Sequence, residues 1–295
     1  MTVSEILYSI DNSYRRFYHS ETAHKPTKSN QSSKGLIMTN HLRQKLSKQE
    51  PVFGVSFMEF QSVGWTTVFA HCGFDFLFID MEHSMRSIER IGDLIWSAVH
   101  AGINPVIRVP SPQRFYISRV LDAGANSFIV PRVETIEQVE SAIQFALYPP
   151  EGDRSLAGSG RNFNLLPQKD LKQATKTSNQ ETLISIQIET TKGLDNIEEI
   201  VKHPRIDMVF IGPADLSLTL GIPGQFDHRD FVNAVDRIIE VTLRHGHSVG
   251  MQSMNVDYSK KMMKKGLRFV CCGGAIGLIR QHGAEMVKQL KDTEL

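Results

Sequence analysis

From Pro51 to its C-terminus the chain alternates short apolar runs with longer segments whose apolar residues recur every three or four positions. Runs of the first kind are strands and segments of the second kind are helices, so the pattern predicts repeated βα units around a parallel sheet. The predicted strands are "VFGVSF", "FLFID", "PVIRV", "SFIVP", "LISIQI", "MVFIG", "HSVGM" and "RFVCC". Helices are predicted at Ile88–His100, Ile136–Ala146, Asp230–His245 and Val256–Lys265. Gly102, Gly246 and Gly266 fall just past helix ends, where a left-handed residue closes the last turn. Eight such units fit a (β/α)8 TIM barrel. A doubly wound open sheet competes with it, but no GxGxxG fingerprint follows the first strand.

In a barrel of this kind, active sites lie over the C-terminal ends of the strands. The second strand ends at Asp80, with Glu82 and His83 just beyond it; the third carries Arg108; the fifth ends at Glu189; and the sixth runs into "GPADLS" with Asp215. Residues far apart in sequence are therefore predicted to gather over one rim. Side chains alternate across a strand, so Ser185, Gln187 and Glu189 share the face opposite Ile184, Ile186 and Ile188. The isoleucines meet the helices and the polar face points into the barrel. A carboxylate buried there must be paired or hold a metal, since an isolated buried charge is very costly. An ion pair with Arg108 or another rim base satisfies Glu189 as well as a cation does.

"GPADLS" also has two readings. Proline and an acid in a first turn are ordinary helix-start chemistry. Alternatively, the free N–H groups of the Gly212–Pro213–Ala214 turn hold a carboxylate while Asp215 binds a cation beside it. Two carboxylates, water and the oxygens of a 2-oxo acid make an all-oxygen set that favours Mg²⁺ or Mn²⁺ over zinc. His83 with Asp80 reads as a base and its orienting carboxylate, or as a histidine that merely hydrogen-bonds at the rim. Arg108 interrupts an apolar run and suits a carboxylate or an enolate oxygen; pairing with Asp80 or Glu82 is compatible with either role.

Other features rank lower. His245 and His247 fall at a helix-to-strand turn, the far end of the barrel, and read as surface. The glycines of "GGAIG" serve a phosphate site or simply a tight turn. "GSGRN", Gly158 to Asn162, lies in a long connection of the kind that forms lids. The predicted strands contain no lysine, which opposes a Schiff-base aldolase.

Composition narrows the partners. A net charge of +1 gives no electrostatic case for nucleic acid or a membrane surface, and no apolar run reaches a membrane span's length. Three cysteines without CxxC spacing oppose a disulfide framework and favour a reducing, cytoplasmic setting. Residues 1–37 are polar and read as a disordered arm, with Met38 opening a single barrel domain over 38–295; Glu5, Asp11 and Glu21 oppose a transit peptide.

"GFDFLFIDMEHS", "PVIRVP", "LDAGANSFIVPRVET", "YPPEGDRS", "QIET" and "GPADLSLTLG", in that order, resemble the HpcH/HpaI aldolase/citrate lyase family of metal-dependent pyruvate aldolases. The resemblance runs from Met38 to the C-terminus and implies a phosphoenolpyruvate/pyruvate-type barrel. It implies a class II aldolase that cleaves 4-hydroxy-2-oxo acids to pyruvate and an aldehyde, with Mg²⁺, Mn²⁺ or Co²⁺ held by Glu189 and Asp215. The substrate carboxylate then lies on the Gly212–Pro213–Ala214 turn, Gln187 lines the metal-side pocket, and Glu82 supports water there. His83, oriented by Asp80, relays the proton and Arg108 stabilises the enolate. A homo-oligomer, a hexamer of dimers, is implied as well. Met85, Ser155 and Ala275 depart from residues frequent in the family, Ala275 replacing an aspartate and putting the acceptor contacts at that rim in question. Oxaloacetate decarboxylation, coenzyme A ester lysis and a catalytically retired binding barrel are the alternatives.

Overall fold

The computed structural model describes residues 39–253 and 255–292. Residues 1–37, read above as a polar arm, lie outside the described residues. Eight strands close on themselves in chain order: β1 (Val52–Phe57), β2 (Phe76–Asp80), β3 (Asn104–Arg108), β4 (Ser127–Val130), β5 (Leu183–Ile188), β6 (Met208–Ile211), β7 (Ser248–Ser253) and β8 (Leu267–Gly274). Every neighbouring pair is parallel, including β8 with β1, so the sheet has no edge left to cover. The barrel is the (β/α)8 fold that the sequence pattern predicts.

Around it run α1 (His41–Ser47), α2 (Gly64–His71), α3 (Ile88–Ala101), α4 (Arg114–Asp122), α5 (Ile136–Ala146), α6 (Leu171–Glu181), the short α7 (Thr191–Asp195) and α8 (Ile197–Ile200), α9 (Pro213–Thr219), α10 (Arg229–Arg244), α11 (Val256–Lys264) and α12 (Ala275–Lys291). The four predicted helices lie within one residue of these bounds. The physics of α10 is typical: the His228 side chain caps its first turn, and Phe231, Ala234, Val235, Ile238 and Ile239 bury one stripe at helical spacing.

Alternation within each strand sorts the core into two layers. Leu77 and Ile79 of β2, Ile107 of β3 and Ile184, Ile186 and Ile188 of β5 belong to the outer layer against the helices. Phe76, Phe78, Val106, Leu183, Met208, Phe210, Phe269 and Cys271 fill the interior, joined by Leu42 and Leu46 of α1. Those two leucines stand one turn apart, and Asn40 ahead of them bonds the Asn126 carbonyl and the Ser127 hydroxyl at the start of β4. The first helix thus plugs the N-terminal end of the barrel. Above it, the Phe76 and Phe269 rings stack at 3.9 Å and the Phe78 and Phe210 rings at 5.6 Å, an aromatic floor beneath the C-terminal mouth.

That floor constrains β1. A Cβ at Gly54 would lie 2.3 Å from the Phe76 ring, which is itself held against Phe269. Gly54→Ala is therefore expected to overpack the interior and cost ~1–3 kcal/mol. Thermal melts check this: Phe76→Leu in the same chain should recover part of the loss, because the two sites share one space.

Candidate active site

Asp80 and Arg108 are the last residues of β2 and β3 and stand opposite each other in the strand register. Register alone thus brings their side chains together. Arg108 Nε donates to Asp80 Oδ1 at 2.8 Å and Nη2 to Oδ2 at 2.6 Å, a two-pronged contact with both groups buried. The same two oxygens accept the backbone N–H groups of Glu82, at 3.0 Å, and His83, at 3.3 Å. Burial acts to lower the proton affinity of Arg108, but the hydrogen bond and charge of Asp80 outweigh it and hold the guanidinium firmly protonated.

Of the expected Asp80–His83 pairing, the structure shows a backbone contact. Asp80 meets His83 through the backbone, because its oxygens are already occupied by Arg108 and the turn amides. The carboxylate beside the imidazole is that of Glu82, whose Oε2 lies 3.8 Å from His83 Nε2 and 3.3 Å from Arg108 Nη1. Burial pushes the Glu82 carboxyl up against the opposing pull of Arg108 and His83, with the Asp80 and Asp215 charges adding to the rise. The His83 ring is 54% exposed, open to the mouth.

Glu189 follows β5 and is only 1% exposed. Arg132 donates its backbone N–H to Oε1 at 2.8 Å, and the Gln187 amide donates to Oε2. No ion pair to Glu189 forms among the described residues, so the expected alternative of a rim base on Glu189 is not the arrangement found. Burial drives its pKa up to about 7, against those two hydrogen bonds and with help from the charges of Glu82 and Asp215. Gly212 gives this carboxylate its room: a Cβ there would lie 2.3 Å from Glu189 Oε2 and 2.7 Å from Gln187 Nε2. Pro213 opens α9 without any side-chain cap, and Asp215 sits in its first turn. The Arg132 guanidinium reaches Asp215 at 3.7 Å.

Other sequence candidates lie elsewhere. Arg161 and Asn162 of the long connection line a cavity with Gly124, Asn126 and Thr182, residues that precede β4 and β5, so this segment sits toward the N-terminal end and is no lid. His247 is at that end as expected, but it is buried, with Nε2 2.7 Å from the Val201 carbonyl, and so is not a surface residue. Gly273 has φ 75°, which supports the tight-turn reading of "GGAIG". Arg132 is the rim residue that the sequence reading passed over. Its signal was its position, one residue past the fourth predicted strand at the same end as the other candidates.

Among the described residues no three His, Cys, Asp or Glu side chains converge as a metal cluster. The donors are two carboxylates, one of them buried without a cationic side chain on it, with Gly212 holding open the space beside it. That oxygen-only set fits a hard divalent cation that completes its shell with water and substrate.

A closed barrel whose mouth gathers an arginine, a histidine and several carboxylates has the construction of a (β/α)8 enzyme. The chain belongs to the HpcH/HpaI aldolase/citrate lyase family, whose pattern matches residues 55–281. It is 33% identical over 238 residues to a hydroxypyruvate/pyruvate aldolase of Paraburkholderia phytofirmans, covering 79% of this chain and 90% of that protein. A 5-keto-4-deoxy-D-glucarate aldolase of Klebsiella pneumoniae is 31% identical over 228 residues, with 77% and 87% covered. The crystal structure of an HpcH/HpaI aldolase from Desulfitobacterium hafniense superposes with a TM-score of 0.81 at 27% identity, over 86% of this chain and 97% of that one.

The raised pKa of Glu189 has a thermodynamic consequence. The folded state holds this proton up to about pH 7, whereas an unfolded glutamate releases it near pH 4.3. Apo-protein stability should therefore fall between those two values as pH rises, by about 2–4 kcal/mol from this group. In EDTA, Glu189→Gln is expected to melt above wild type at pH 8 and level with it at pH 4. Mn²⁺ should raise the wild-type melting temperature and leave the variant unmoved.

Proposed function

We propose that the protein is a class II pyruvate aldolase that cleaves 4-hydroxy-2-oxo acids reversibly to pyruvate and an aldehyde. The observation that carries this reading is Glu189: a buried carboxylate without a cationic side chain on it, beside Asp215 at the mouth of the barrel. Its family and its aldolase relatives support the same chemistry. Glu189 and Asp215 would hold Mg²⁺, Mn²⁺ or Co²⁺, which when bound polarises the 2-oxo group of pyruvate and acidifies its methyl protons.

The remaining work falls to side chains and backbone. The turn from Gly212 to Ala214 leads into α9 with uncapped N–H groups at Ala214 and Asp215, which receive the substrate carboxylate. Gln187 packs against Glu189 and keeps its own Oε1 without a hydrogen-bond partner, an acceptor left for a ligand or water. Arg108, fixed by Asp80 and resting over the Phe78 ring, presents its charge to the oxygen that becomes negative. His83 and Glu82 handle the proton: an exposed imidazole beside a carboxyl that burial makes more basic. In the synthetic direction a proton leaves C3 of pyruvate, and the freed electron pair forms the bond to the aldehyde carbon. The aldehyde oxygen then takes up a proton; cleavage is the reverse. A retired binding barrel is not favoured, since the family and the relatives the chain resembles are named for aldolase chemistry.

We also infer that the protein is a homo-oligomer. Of the seventeen residues of α12 only Ala275 is buried. Ile276, Ile279, Met286 and Leu290 are exposed and, with Gly283, fall at alternating spacings of three and four, one continuous stripe along the helix. A helix of that pattern is covered by something, and a second copy supplies a matching face.

Enolate formation precedes carbon–carbon bond formation, so it is testable without knowing the aldehyde. Incubation with pyruvate and Mg²⁺ in D₂O should deuterate the pyruvate methyl group, as read by NMR, and His83→Ala should slow this by ~10²-fold or more. Exchange no faster than buffer with the metal-loaded wild type would remove the pyruvate-aldolase reading. For the assembly, Met286→Glu with Leu290→Glu should lower the sedimentation coefficient to that of a smaller species while the far-ultraviolet circular dichroism holds.

A further inference from the structure

Arg132 is placed unlike the other arginines of the mouth. Arg108 spends two of its nitrogens on Asp80. Arg86 donates to the carbonyls of Phe57 at 2.7 Å and Phe60 at 2.8 Å. The Arg132 guanidinium instead makes one long ion pair, 3.7 Å to Asp215, and its side chain is 53% exposed. Among the described residues no hydrogen bond fixes its donors. The backbone beneath it is in the left-handed region, φ 51°, a conformation that costs a non-glycine residue roughly 1 kcal/mol or more. That conformation accompanies two contacts at once: the N–H is on Glu189 Oε1, and the side chain reaches from the end of β4 past β5 toward Asp215 after β6. The guanidinium therefore stands over the two carboxylates on the solvent side of the site.

Below the mouth the barrel interior is filled by Phe76, Phe78, Phe210 and Phe269, so a second reactant enters from the mouth, where the Arg132 side chain is exposed. A divalent cation held by Asp215 would repel a guanidinium 3.7 Å from the same carboxylate and leave its donors for another partner. Its ready partner there is an anion, since a guanidinium fork matches a carboxylate with two parallel hydrogen bonds. We propose that Arg132 is a specificity-determining residue that binds a carboxylate carried by the acceptor aldehyde, so that the enzyme prefers acidic aldehydes over neutral ones. The assignment rests on the pyruvate-aldolase reading. It adds a role for a residue that neither holds the cation nor moves the proton.

The test compares two acceptors in pyruvate addition with Mg²⁺ present: succinic semialdehyde, which carries a carboxylate, and propionaldehyde, which does not. Arg132→Asn is the informative variant, because asparagine tolerates the left-handed backbone while lacking the guanidinium. Arg132→Lys retains the charge without the fork. In wild type kcat/KM should favour the acidic acceptor. In Arg132→Asn that preference should fall by at least tenfold, carried by KM for succinic semialdehyde, and Arg132→Lys should recover part of it. Unreactive succinate should inhibit wild type competitively against the acidic acceptor and inhibit Arg132→Asn at least tenfold more weakly. Methyl-proton exchange of pyruvate alone, followed by NMR in the same samples, separates the two levels. An unchanged preference in a variant that still exchanges overturns the role of Arg132 and leaves the aldolase reading standing. Absence of exchange in wild type overturns both.

Discussion

A guanidinium buried at the mouth of a barrel needs a carboxylate paired with it, and the register of β2 and β3 brings Asp80 onto its Nε–Nη2 edge. Much of the site follows from that contact. With two guanidinium donors and two backbone amides on its oxygens, Asp80 has no lone pair left for the His83 ring. The turn after β2 is fixed by those amides, and it delivers Glu82 rather than Asp80 to the imidazole. Arg108 also reaches beyond Asp80, with Nη1 3.3 Å from Glu82 Oε2. What remains at the rim is an excess of negative charge: Glu82, Glu189 and Asp215 against the loosely held Arg132. That excess is tolerable only with protons or a cation bound, and it is the physical basis of the ligand chemistry inferred for this protein.

The lower half of the barrel makes the upper half possible. Stacked phenylalanines close the interior to water just below Arg108, whose guanidinium lies 5.3 Å above the Phe78 ring. The low-dielectric floor strengthens every charge interaction above it. Two close approaches then demand the smallest residue. Gly54 yields its side-chain volume to Phe76 in the floor, and Gly212 yields it to Glu189 in the site. One glycine serves packing and the other serves chemistry, by the same steric rule.

Much of this was legible in the chain itself. Alternation in "LISIQIE" assigned Glu189 to the interior correctly, because a strand's period of two leaves no third option. The gathering of Asp80, Arg108, Glu189 and Asp215 over one rim followed from the barrel alone. What the pattern could not yield were contacts within reach of several partners. Asp80 could serve Arg108 or His83, and the choice depended on register and turn geometry. Arg132 was hidden for a related reason: its backbone adopts a left-handed conformation that no propensity for arginine predicts. The burial of His247 was missed because a turn between helix and strand reads as surface until the Val201 carbonyl is seen to cover it.

Glu82 and Glu189 show how one cause is divided into two functions. Burial raises both carboxyls. Glu82 is pulled back by the positive charges of Arg108 and His83, whereas Glu189 is opposed only by an amide N–H and a glutamine. Glu189 is therefore the group whose ionisation a cation most rewards. The charge of Asp215 adds to the rise at Glu82 as well, so a cation neutralising Asp215 lowers the proton affinity of Glu82. A cation held there would thus act on the His83–Glu82 pair through charge alone. The two glutamates differ in their electrostatic surroundings because their neighbours differ, and the neighbours are set by which strand ends beside which.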